Sequence, residues 1–442
     1  MLMDQNIFQE SSTVNIYQVA PILAEPNLYE LLHSFKQEHT STGYLNTNPM
    51  EKLNLRQLKE LLSKLKRKSA EQKRTVHEWM SKPELLINLL EKCKNNKFEF
   101  GCASQTRIIT NGKGRIIYSY RIQDKIIQKF ISLVLNELFD DDFFPESFGY
   151  RPLMSIMDGI ELMISNSHNA KYALKLDIQN FFPSINTNVI LSIIEKKITN
   201  PNFLRLIRKS MNTYCKINGK KVKLKGLAQG AIPSPVCSSI LLNHILDNPI
   251  RDAFPNAKLY RYADDLFILF SEERYVNEIT VWVENTLKNH NLNISEEKTP
   301  NVVSELRKGQ QFLGYKVGKV QEQLVIDIDQ DKIKLKVLEI CLTRPEHLHN
   351  YLRSQLKSTN ISKETHRSWY NILVDLPTLI RKELITKVHL SNLETILAEI
   401  DFVRNLLLRE LSPQLLEQQI KSMRNHILGK QEENKKYIPN KI

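Results

Sequence analysis

The most informative segment of the chain reads Arg261-Tyr262-Ala263-Asp264-Asp265-Leu266-Phe267-Ile268-Leu269-Phe270. It follows Ala257-Lys258-Leu259-Tyr260, and the apolar, β-prone residues on both sides predict two strands with the aspartates at the turn between them. Adjacent carboxylates at the tip of an apolar hairpin repel each other, which favours a divalent cation as the counter-charge. Two aspartates alone would more often form a solvated turn, so the interpretation depends on further carboxylates.

A third carboxylate, Asp177, lies upstream at the end of another predicted strand, which runs from Tyr172 to Leu176. Two separate segments that each deliver carboxylates from a strand end are what a two-metal phosphoryl-transfer site requires. In such a site, metal ions about 4 Å apart activate the attacking hydroxyl and neutralise the leaving pyrophosphate. The three aspartates therefore predict a nucleotidyl-transfer centre.

Five motifs resemble those of reverse transcriptases, in the order that the family has them. Tyr262-Ala263-Asp264-Asp265 resembles the Y-x-D-D box, and Asp177 to Phe182 resembles the first catalytic motif. Between them, Leu227-Ala228-Gln229-Gly230-Ala231-Ile232-Pro233-Ser234-Pro235 is similar to the Q-G-x-x-x-S-P motif, which lines the template and the incoming nucleotide. Beyond the box, Leu292-Asn293-Ile294-Ser295-Glu296-Glu297-Lys298-Thr299 is similar to the motif with a lysine near the triphosphate. Phe312-Leu313-Gly314-Tyr315 resembles the F-L-G primer grip.

A basic hairpin is predicted near residue 110, where Arg107-Ile108-Ile109-Thr110 and Arg115-Ile116-Ile117-Tyr118 flank the turn Asn111-Gly112-Lys113-Gly114. It is either a flap that folds over a triphosphate or an exposed turn. The segment resembles the fingers of prokaryotic reverse transcriptases, with Arg115 on the motif arginine. Ile109 and Thr110 stand where many relatives have a lysine, so that contact is expected to shift to Arg107 or Lys113.

A second signature, Ser147-Phe148-Gly149-Tyr150-Arg151-Pro152, resembles the S-[FY]-G-[FY]-R-P motif of group II-like enzymes. The resemblance as a whole covers residues 98–318. It implies that Asp177 and Asp264 bridge two Mg²⁺ ions, with Asp265 assisting and the carbonyl of Ile178 as a further ligand. Mg²⁺ is favoured because all these ligands are oxygens, and Mn²⁺ is a possible substitute.

The resemblance also implies roles in nucleotide and primer binding. Phe182, five residues after Asp177, falls at the steric gate that rejects a 2′-OH, and Phe181 precedes it in the nucleotide site; a core aromatic is the alternative. Gln229 and Gly230 are expected to contact the incoming nucleotide. Lys298 is expected to protonate or stabilise the departing pyrophosphate. The primer grip would comprise Phe312, Leu313 and Gly314.

We expect an α+β fold of the right-hand polymerase type with four regions. A helical N-terminal extension covers 1–97, where leucines recur at helical spacing between Glu51 and Arg74. Lys64, Lys66, Arg67 and Lys68 there either follow a phosphate backbone or form a solvated helix face. Fingers span 98–170, and a palm spans 171–318 with a fingers segment at about 186–235. A helical thumb covers 319–442, with leucine spacing at 335–352 and 390–411.

The composition of the chain indicates what kind of partner and what kind of compartment to expect. The 442 residues carry a formal charge of +13, which favours a polyanionic partner without separating an enzyme from a binding module. Five scattered cysteines with no C-x-x-C pair argue against a zinc module or a disulfide framework and fit a reducing cytoplasm. No signal peptide and no apolar run of about 18 residues is found, so no membrane partner is expected.

The predicted function is RNA-directed DNA synthesis from deoxynucleoside triphosphates, with an RNA template and a DNA product. The leading hypothesis for its setting is a compact bacterial enzyme of antiphage defence, templated by its own structured noncoding RNA. The alternatives are a group II-like maturase relative, an RNA-binding ribonucleoprotein subunit, and template-independent synthesis primed by a protein hydroxyl. A homo-oligomer is possible, and the sequence does not identify the template, the primer or the product.

Overall fold

The computed structural model describes residues 26–65, 70–110, 113–217, 219–295, 304–320, 323–348, 350–352, 363–384 and 390–410. Among the sequence predictions, Lys298, the basic residues Lys66, Arg67 and Lys68, and the turn residues 111 and 112 lie outside these ranges. The described chain combines helices with four sheets, which confirms the predicted α+β class. None of the helices described is long and apolar enough to cross a membrane.

Five helices open the described chain: α1 (Leu28–Thr42), α2 (Pro49–Lys52), α3 (Leu55–Ser63), α4 (Ala70–Ser81) and α5 (Pro83–Lys94). Reciprocal capping fixes where two of them begin. Asn27 and Glu30 cap α1, and Asn54 and Gln57 cap α3, each pair satisfying two backbone N–H groups. The predicted helical stretch from Glu51 to Arg74 is therefore divided among three helices, because Leu53 is extended and Asn54 starts a new one.

A hairpin and a long buried helix follow. Strands β1 (Ser104–Thr110) and β2 (Lys113–Ser119) pair antiparallel from Ser104↔Ser119 to Thr110↔Lys113, which confirms the two predicted strands and lengthens both. Helix α6 (Ile122–Phe139) ends in a 3₁₀ turn at Asp140–Asp142. It buries an almost continuous apolar surface that includes Ile126, Ile127, Phe130, Ile131, Val134 and Leu135.

The middle of the chain alternates between helices and strands. In order, they are α7 (Ile156–Asn166), β3 (Tyr172–Asp177), α8 (Phe181–Ser184), α9 (Thr187–Ile194), α10 (Pro201–Met211), β4 (Tyr214–Ile217), β5 (Lys220–Lys223) and α11 (Ser234–Leu242). A π-helical turn at Asn243–Asp247 leads into α12 (Asn248–Ala253), β6 (Lys258–Tyr262), β7 (Asp265–Phe270) and α13 (Tyr275–Asn289). Strands β6 and β7 confirm the predicted hairpin, and β3 ends at Asp177 as expected.

The C-terminal part begins with strands. β8 (Ser304–Glu305), a 3₁₀ turn at Leu306–Lys308, β9 (Gln310–Phe312), β10 (Tyr315–Val320) and β11 (Gln323–Ile328) precede α14 (Gln330–Thr343), a 3₁₀ turn at Pro345–His347, α15 (Lys363–Leu384) and α16 (Leu390–Glu410). The helices confirm the leucine periodicity. The expectation of a helical region from residue 319 is wrong at its start, because β10 and β11 pair as an antiparallel ladder up to Ile328.

One sheet carries the aspartates: its four strands lie in the order β6–β7–β3–β8, so β7 and β3 are central neighbours. Contacts divide the chain into two units, Met1–Ser155 with Leu176–Leu266 and Arg274–Asn301, and Ile156–Lys175 with Phe267–Glu273 and Val302–Ile442. The first unit contains α6 and all three aspartates. The second has a core around Trp369, Ile372, Leu373 and Leu376 of α15, packed by residues of α14 and α16.

Candidate active site

The turn between β6 and β7 is tight and strained. Tyr262 ends one strand and Asp265 begins the next, so only Ala263 and Asp264 connect them. Ala263 is buried and adopts a left-handed conformation with φ of 57°, which costs a residue with a Cβ on the order of 1 kcal/mol. A strained backbone at this position persists only because its surroundings fix it.

Asp177 lies beside this turn. It is the last residue of β3 and is 5% exposed. The N–H of the next residue, Ile178, donates to the carbonyl of Asp264 at 3.4 Å, which joins the two strand ends directly. Asp264 and Asp265 are half-buried. The structure thus brings the three predicted aspartates to one edge of the sheet.

The segment Leu292–Ser295 closes the other side of Asp177. Ile178 and Ile294 form an isolated antiparallel bridge, and the N–H of Ser295 donates to the Asp177 carbonyl at 2.7 Å. The first residues of the predicted lysine motif therefore border the carboxylate edge. Lys298 itself lies outside the described residues, so its predicted position is untested.

An ion pair behind the turn supports it. The Arg261 side chain is 1% exposed and that of Asp247 is 2% exposed. The guanidinium donates from Nε to Oδ1 at 2.8 Å and from Nη2 to Oδ2 at 2.6 Å. Its Nη1 donates to the carbonyl of Ala263 at 3.3 Å, so the same side chain holds the strained residue of the turn.

Residues 146–149 support the turn from a second direction. The Ser147 hydroxyl donates to Oδ2 of Asp247 at 2.6 Å, and the Arg261 N–H donates to the carbonyl of Glu146 at 2.9 Å. Gly149 packs so closely that a Cβ there would lie 2.4 Å from the backbone nitrogen of Ala263. The first half of the Ser147–Pro152 signature therefore packs against the turn that carries Asp264 and holds its backbone in place.

Tyr150, the next residue, lies close enough to Asp264 and Asp265 for their charges to affect it. It has φ of 63°, is 52% exposed and packs on Tyr262 with ring centroids 5.4 Å apart. Its pKa is raised by burial, then by Tyr262 and Asp264, while Arg115 acts in the opposite direction. Arg151 has a different task, since it binds Asp140 through two nitrogens and anchors the loop.

The two predicted nucleotide-site phenylalanines differ in burial. Phe181 is 2% exposed and belongs to the core, whereas the Phe182 side chain is half-buried. The carbonyl of Phe182 accepts the N–H of Leu227 at 2.8 Å, and a Cβ on Gly226 would lie 2.4 Å from the same oxygen. Phe182 is thus tied to the start of the segment that contains Gln229 and Gly230.

Gln229 and Gly230 dock on the β1–β2 hairpin. The N–H of Tyr118 donates to the Gln229 carbonyl at 2.8 Å, and Gly230, with φ of 109°, leaves no room for a Cβ beside Tyr118 and Ile117. Side chains alternate along β2, so Arg115 shares a face with Ile117. This face is therefore the one turned towards the segment of Gln229.

Arg107 lies on the opposite face. It pairs in register with Ile116, and its Nε would be 2.9 Å from a Cβ built on Gly114. Arg107 and Arg115 therefore do not project from the same side of the hairpin, and the geometry favours Arg115 for a contact near Gln229. Lys113 begins β2, and the position of its side chain lies outside what the structure describes.

Comparison with a protein-family model tests the family relationship that the motifs suggest. The model described as "Reverse transcriptase (RNA-dependent DNA polymerase)" matches residues 94–317, more than half of the chain. The chain belongs to the reverse transcriptase family. The matched residues contain the hairpin, the carboxylate edge and the segment of Gln229, so the family assignment and the geometry concern the same part of this reverse transcriptase.

Curated relatives of this reverse transcriptase are distant. An uncharacterized 91 kDa protein in the cob intron of Schizosaccharomyces pombe is 27% identical over 171 residues, which is 38% of this chain and 21% of that protein. The group II intron-encoded protein LtrA of Lactococcus lactis subsp. cremoris is 26% identical over 123 residues, 28% of this chain and 20% of that protein. The chain therefore spans about a fifth of the length of these two relatives. A telomerase structure from Candida albicans matches with a TM-score of 0.43 and 12% identity, covering 73% of this chain and 65% of that one.

The predicted primer grip of this reverse transcriptase is a turn in its second unit. Phe312 is fully buried and stacks on Phe267, with ring centroids 4.7 Å apart. Leu313 and Gly314, with φ of 50° and 91°, turn the chain from β9 to β10. Phe312 therefore fixes the turn from within the core, and its role in holding a primer stays a prediction.

Sequence reasoning missed the supports of the aspartate turn. Asp247 received no role, and the signature residues Ser147 and Gly149 were recognised without one. One signal was available, because Arg261 lies beside the apolar run Leu266–Phe270 in a predicted hairpin, and a charge that becomes buried requires a partner. The partner's identity was not available, since the contact depends on how the turn at Asn243–Asp247 packs against β6.

Proposed function

We propose that this reverse transcriptase is an RNA-directed DNA polymerase that copies RNA into DNA by nucleotidyl transfer at Asp177, Asp264 and Asp265. The observation that carries the proposal is the direct connection of the two strand ends, in which the Ile178 N–H donates to the Asp264 carbonyl at 3.4 Å. Carboxylates from both strands thereby line one edge, as attack of a primer 3′-OH on a deoxynucleoside triphosphate requires.

The proposed cofactor is a pair of Mg²⁺ ions, for which Mn²⁺ can substitute, and the donor set fits these ions. Asp177, Asp264 and Asp265 offer only oxygens, as does the Ile178 carbonyl, and hard divalent cations prefer oxygen ligands. Among the described residues, no three His, Cys, Asp or Glu side chains converge closely enough to hold a metal alone. In a magnesium site one or two carboxylates act together with waters and substrate phosphates, which would complete the coordination here. When bound, the ions would activate the 3′-OH and neutralise the pyrophosphate.

The protein's own residues supply selection and orientation. Phe182, half-exposed after Asp177, forms the wall under the sugar and excludes a 2′-OH. Gln229 and Gly230 contact the incoming nucleotide, and Arg115 neutralises its phosphates from the neighbouring face of the hairpin. We also propose that Lys113 and Lys298 contact the triphosphate and that the turn Phe312–Gly314 contacts the primer. Arg107 has the weakest support of these proposed contacts, because it lies on the opposite face of the hairpin from Arg115.

We assign subdomain roles on the same basis. Residues 98–170 act as fingers, residues 171–318 as palm with a fingers segment at about 186–235, residues 1–97 as an N-terminal extension, and residues 319–442 as thumb. The helices that follow Asp329, which caps α14, suit a thumb that grips a duplex. The proposed site of action is the cytoplasm.

The narrower proposal concerns the template. We propose a dedicated structured noncoding RNA, used in bacterial antiphage defence, and the net charge of +13 supports an RNA partner. The alternative is a maturase-like or RNA-binding role, supported by the similarity to a group II intron-encoded protein. Template-independent synthesis primed by a protein hydroxyl is the third possibility that the test distinguishes.

The test is to purify the protein and its Asp264→Asn variant from the native host and to sequence the bound RNA and DNA. A discrete RNA in both samples, with complementary DNA only in the wild type, is the expected result. RNA in both and DNA in neither would favour the binding role. DNA without a complement in the bound RNA would favour template-independent synthesis. A bound intron transcript would favour the maturase.

A further inference from the structure

The β4–β5 hairpin stands out by its charge. From Lys196 to Leu246 the sequence contains ten Lys and Arg residues and not one Asp or Glu. Half of the ten lie on this hairpin and directly after it: Lys216, Lys220, Lys221, Lys223 and Lys225. All five are exposed. A short hairpin thus concentrates positive charge with no acidic residue of its own to balance it.

The strand register gathers three of these lysines on one face. Tyr214 pairs with Lys223 and Lys216 pairs with Lys221, and partners across an antiparallel ladder project to the same side. Cys215 and Val222 project to the other side. Tyr214, Lys216, Lys221 and Lys223 form what we call the basic hairpin face, on which Lys221 and Lys223 lie about 7 Å apart along the strand.

Nothing within the described part of the chain neutralises this face. The ion pairs formed there do not involve Lys216, Lys220, Lys223 or Lys225. Lys221 lies over the Tyr214 ring, with its Nζ 4.5 Å from the ring centroid. Lys216 directly opposite Lys221 is a like-charge pair, which destabilises a ladder. The arrangement is therefore unfavourable for the isolated protein and favourable beside a polyanion.

The base of the hairpin is firmly held. The N–H of Ala103 donates to the Tyr214 carbonyl at 2.7 Å, and the N–H of Leu224 donates to the Thr213 carbonyl at 2.9 Å. The Thr213 and Tyr120 hydroxyls are hydrogen-bonded at 2.8 Å, and both residues are buried. The lysines are therefore presented from an ordered platform, which lowers the entropy lost when a ligand binds.

We propose that the basic hairpin face binds single-stranded RNA, with Lys216, Lys221 and Lys223 against its phosphates and Tyr214 against an unpaired base. Cations interleaved with an exposed aromatic ring are the combination used for single strands, because stacking requires a base that is not in a duplex. Tyr214 is 37% exposed, which leaves ring surface available beside Lys221. The choice of RNA over DNA rests on the proposed function, whereas the phosphate contact does not.

The test measures how binding of a short unstructured RNA oligonucleotide depends on salt. The variant carries Lys216→Gln, Lys221→Gln and Lys223→Gln, and its matched control carries Lys73→Gln, Lys92→Gln and Lys288→Gln, three exposed lysines scattered over α4, α5 and α13. Each phosphate contact to a single strand contributes about 0.7 to the slope of log K against log salt. The magnitude of this slope should therefore be smaller by about 2 in the hairpin variant than in the wild type. The control should lose much less.

Two further variants sharpen the result. Replacing the three lysines by arginine should keep the slope, which shows that charge and not the fold was altered. Tyr214→Ala should weaken binding by about fivefold or more without changing the slope, because stacking releases no counterions. An unchanged slope in the glutamine variant, or an equal loss in the scattered control, overturns the proposal.

Two outcomes separate this inference from the proposed function. Primer extension on a short RNA template is measured in parallel, and wild-type protein that binds through the hairpin but makes no DNA would defeat the proposed function alone. A single-stranded DNA of the same sequence that binds as tightly, with the same lysine dependence, would overturn the assignment to RNA.

Discussion

Arg261 and Asp247 form a buried ion pair immediately behind the turn that carries Asp264, and the same guanidinium donates to the carbonyl of Ala263. Both side chains are almost fully excluded from solvent, at 1% and 2% exposure. The pair therefore connects the stability of the first unit with the conformation of Ala263, the residue with positive φ that precedes Asp264. A buried charge left without its partner is costly, which makes this connection testable.

The first prediction concerns Arg261→Ala. It leaves the Asp247 carboxylate buried and unpaired, so the free energy of unfolding should fall by about 3–5 kcal/mol. Chemical denaturation measures it. Arg208→Ala is the control, because Arg208 forms an exposed pair with Glu195 at 3.4 Å, and such a pair contributes about 1 kcal/mol or less. Equal losses for the two variants would refute a special role for Arg261.

The second prediction concerns Gly149→Ala. The new Cβ would lie 2.4 Å from the nitrogen of Ala263 and 2.9 Å from the Cα of Tyr262, so the backbone before Asp264 must move. A displacement on the order of 1 Å in a reacting group lowers the rate by about 100-fold, and primer extension should show this loss. Gly43→Ala is the control, since no atom lies within 4 Å of its Cβ position and its cost is backbone strain at the end of α1. Full activity in Gly149→Ala would contradict the account.

The third prediction separates the two neighbouring phenylalanines. Phe182→Ala should admit ribonucleotides, raising their incorporation relative to deoxynucleotides by roughly tenfold or more, a discrimination of the size a pocket contact supplies. Phe181→Ala should instead lower the free energy of unfolding by about 3–5 kcal/mol, because it leaves a cavity in the core. Sugar selection is measured by competition between the two nucleotide types. Unchanged selection in Phe182→Ala would remove the steric gate from the proposal.

The fourth prediction concerns the cysteines and their pKa values. Burial raises the pKa of Cys93 and of Cys237 to about 12, because desolvation disfavours the thiolate. The thiolate is the reactive form, so at pH 8 both should resist alkylation in the folded protein. Cys102 is the half-exposed cysteine of the five and should react first. Peptide mapping after iodoacetamide treatment, with Cys102→Ser as the control, measures the order of labelling. Early labelling of Cys237 would show that the core around it opens.

Local pattern was enough to predict the parts of the site that are local in sequence. The strand ending at Asp177 and the hairpin with Asp264 and Asp265 at its turn follow from short apolar runs bounded by polar residues. The two strands around residue 111 follow in the same way, and the register then corrected the picture by separating Arg107 from Arg115. The order in which strands pair in a sheet depends on tertiary contacts. That β3 lies next to β7 could therefore be learned only from the structure.

Contacts between distant segments were beyond the sequence. The link from Ser147 to Asp247 spans 100 residues, and no local periodicity encodes it. The strands β10 and β11 were assigned to a helical region because the whole chain after the predicted primer grip was expected to form a thumb, although the leucine spacing begins only at Leu335. The interruption at Leu53 and Asn54 was missed because the leucine period continues through it, although the capping pair Asn54 and Gln57 is a recognisable start signal.

The central claim is RNA-directed DNA synthesis by the three aspartates, and primer extension on a defined RNA template tests it most directly. Purified wild-type protein, Asp264→Asn and the control Asp252→Asn, an exposed aspartate on α12, are compared with Mg²⁺, with Mn²⁺ and with chelator. We predict template-complementary DNA from the wild type and from Asp252→Asn in either metal and none in chelator. Asp264→Asn should lose about 100- to 1,000-fold in rate, as expected for a group that stabilises transition-state charge. DNA synthesis by Asp264→Asn at the wild-type rate, or none by the wild type under any of these conditions, would contradict the account.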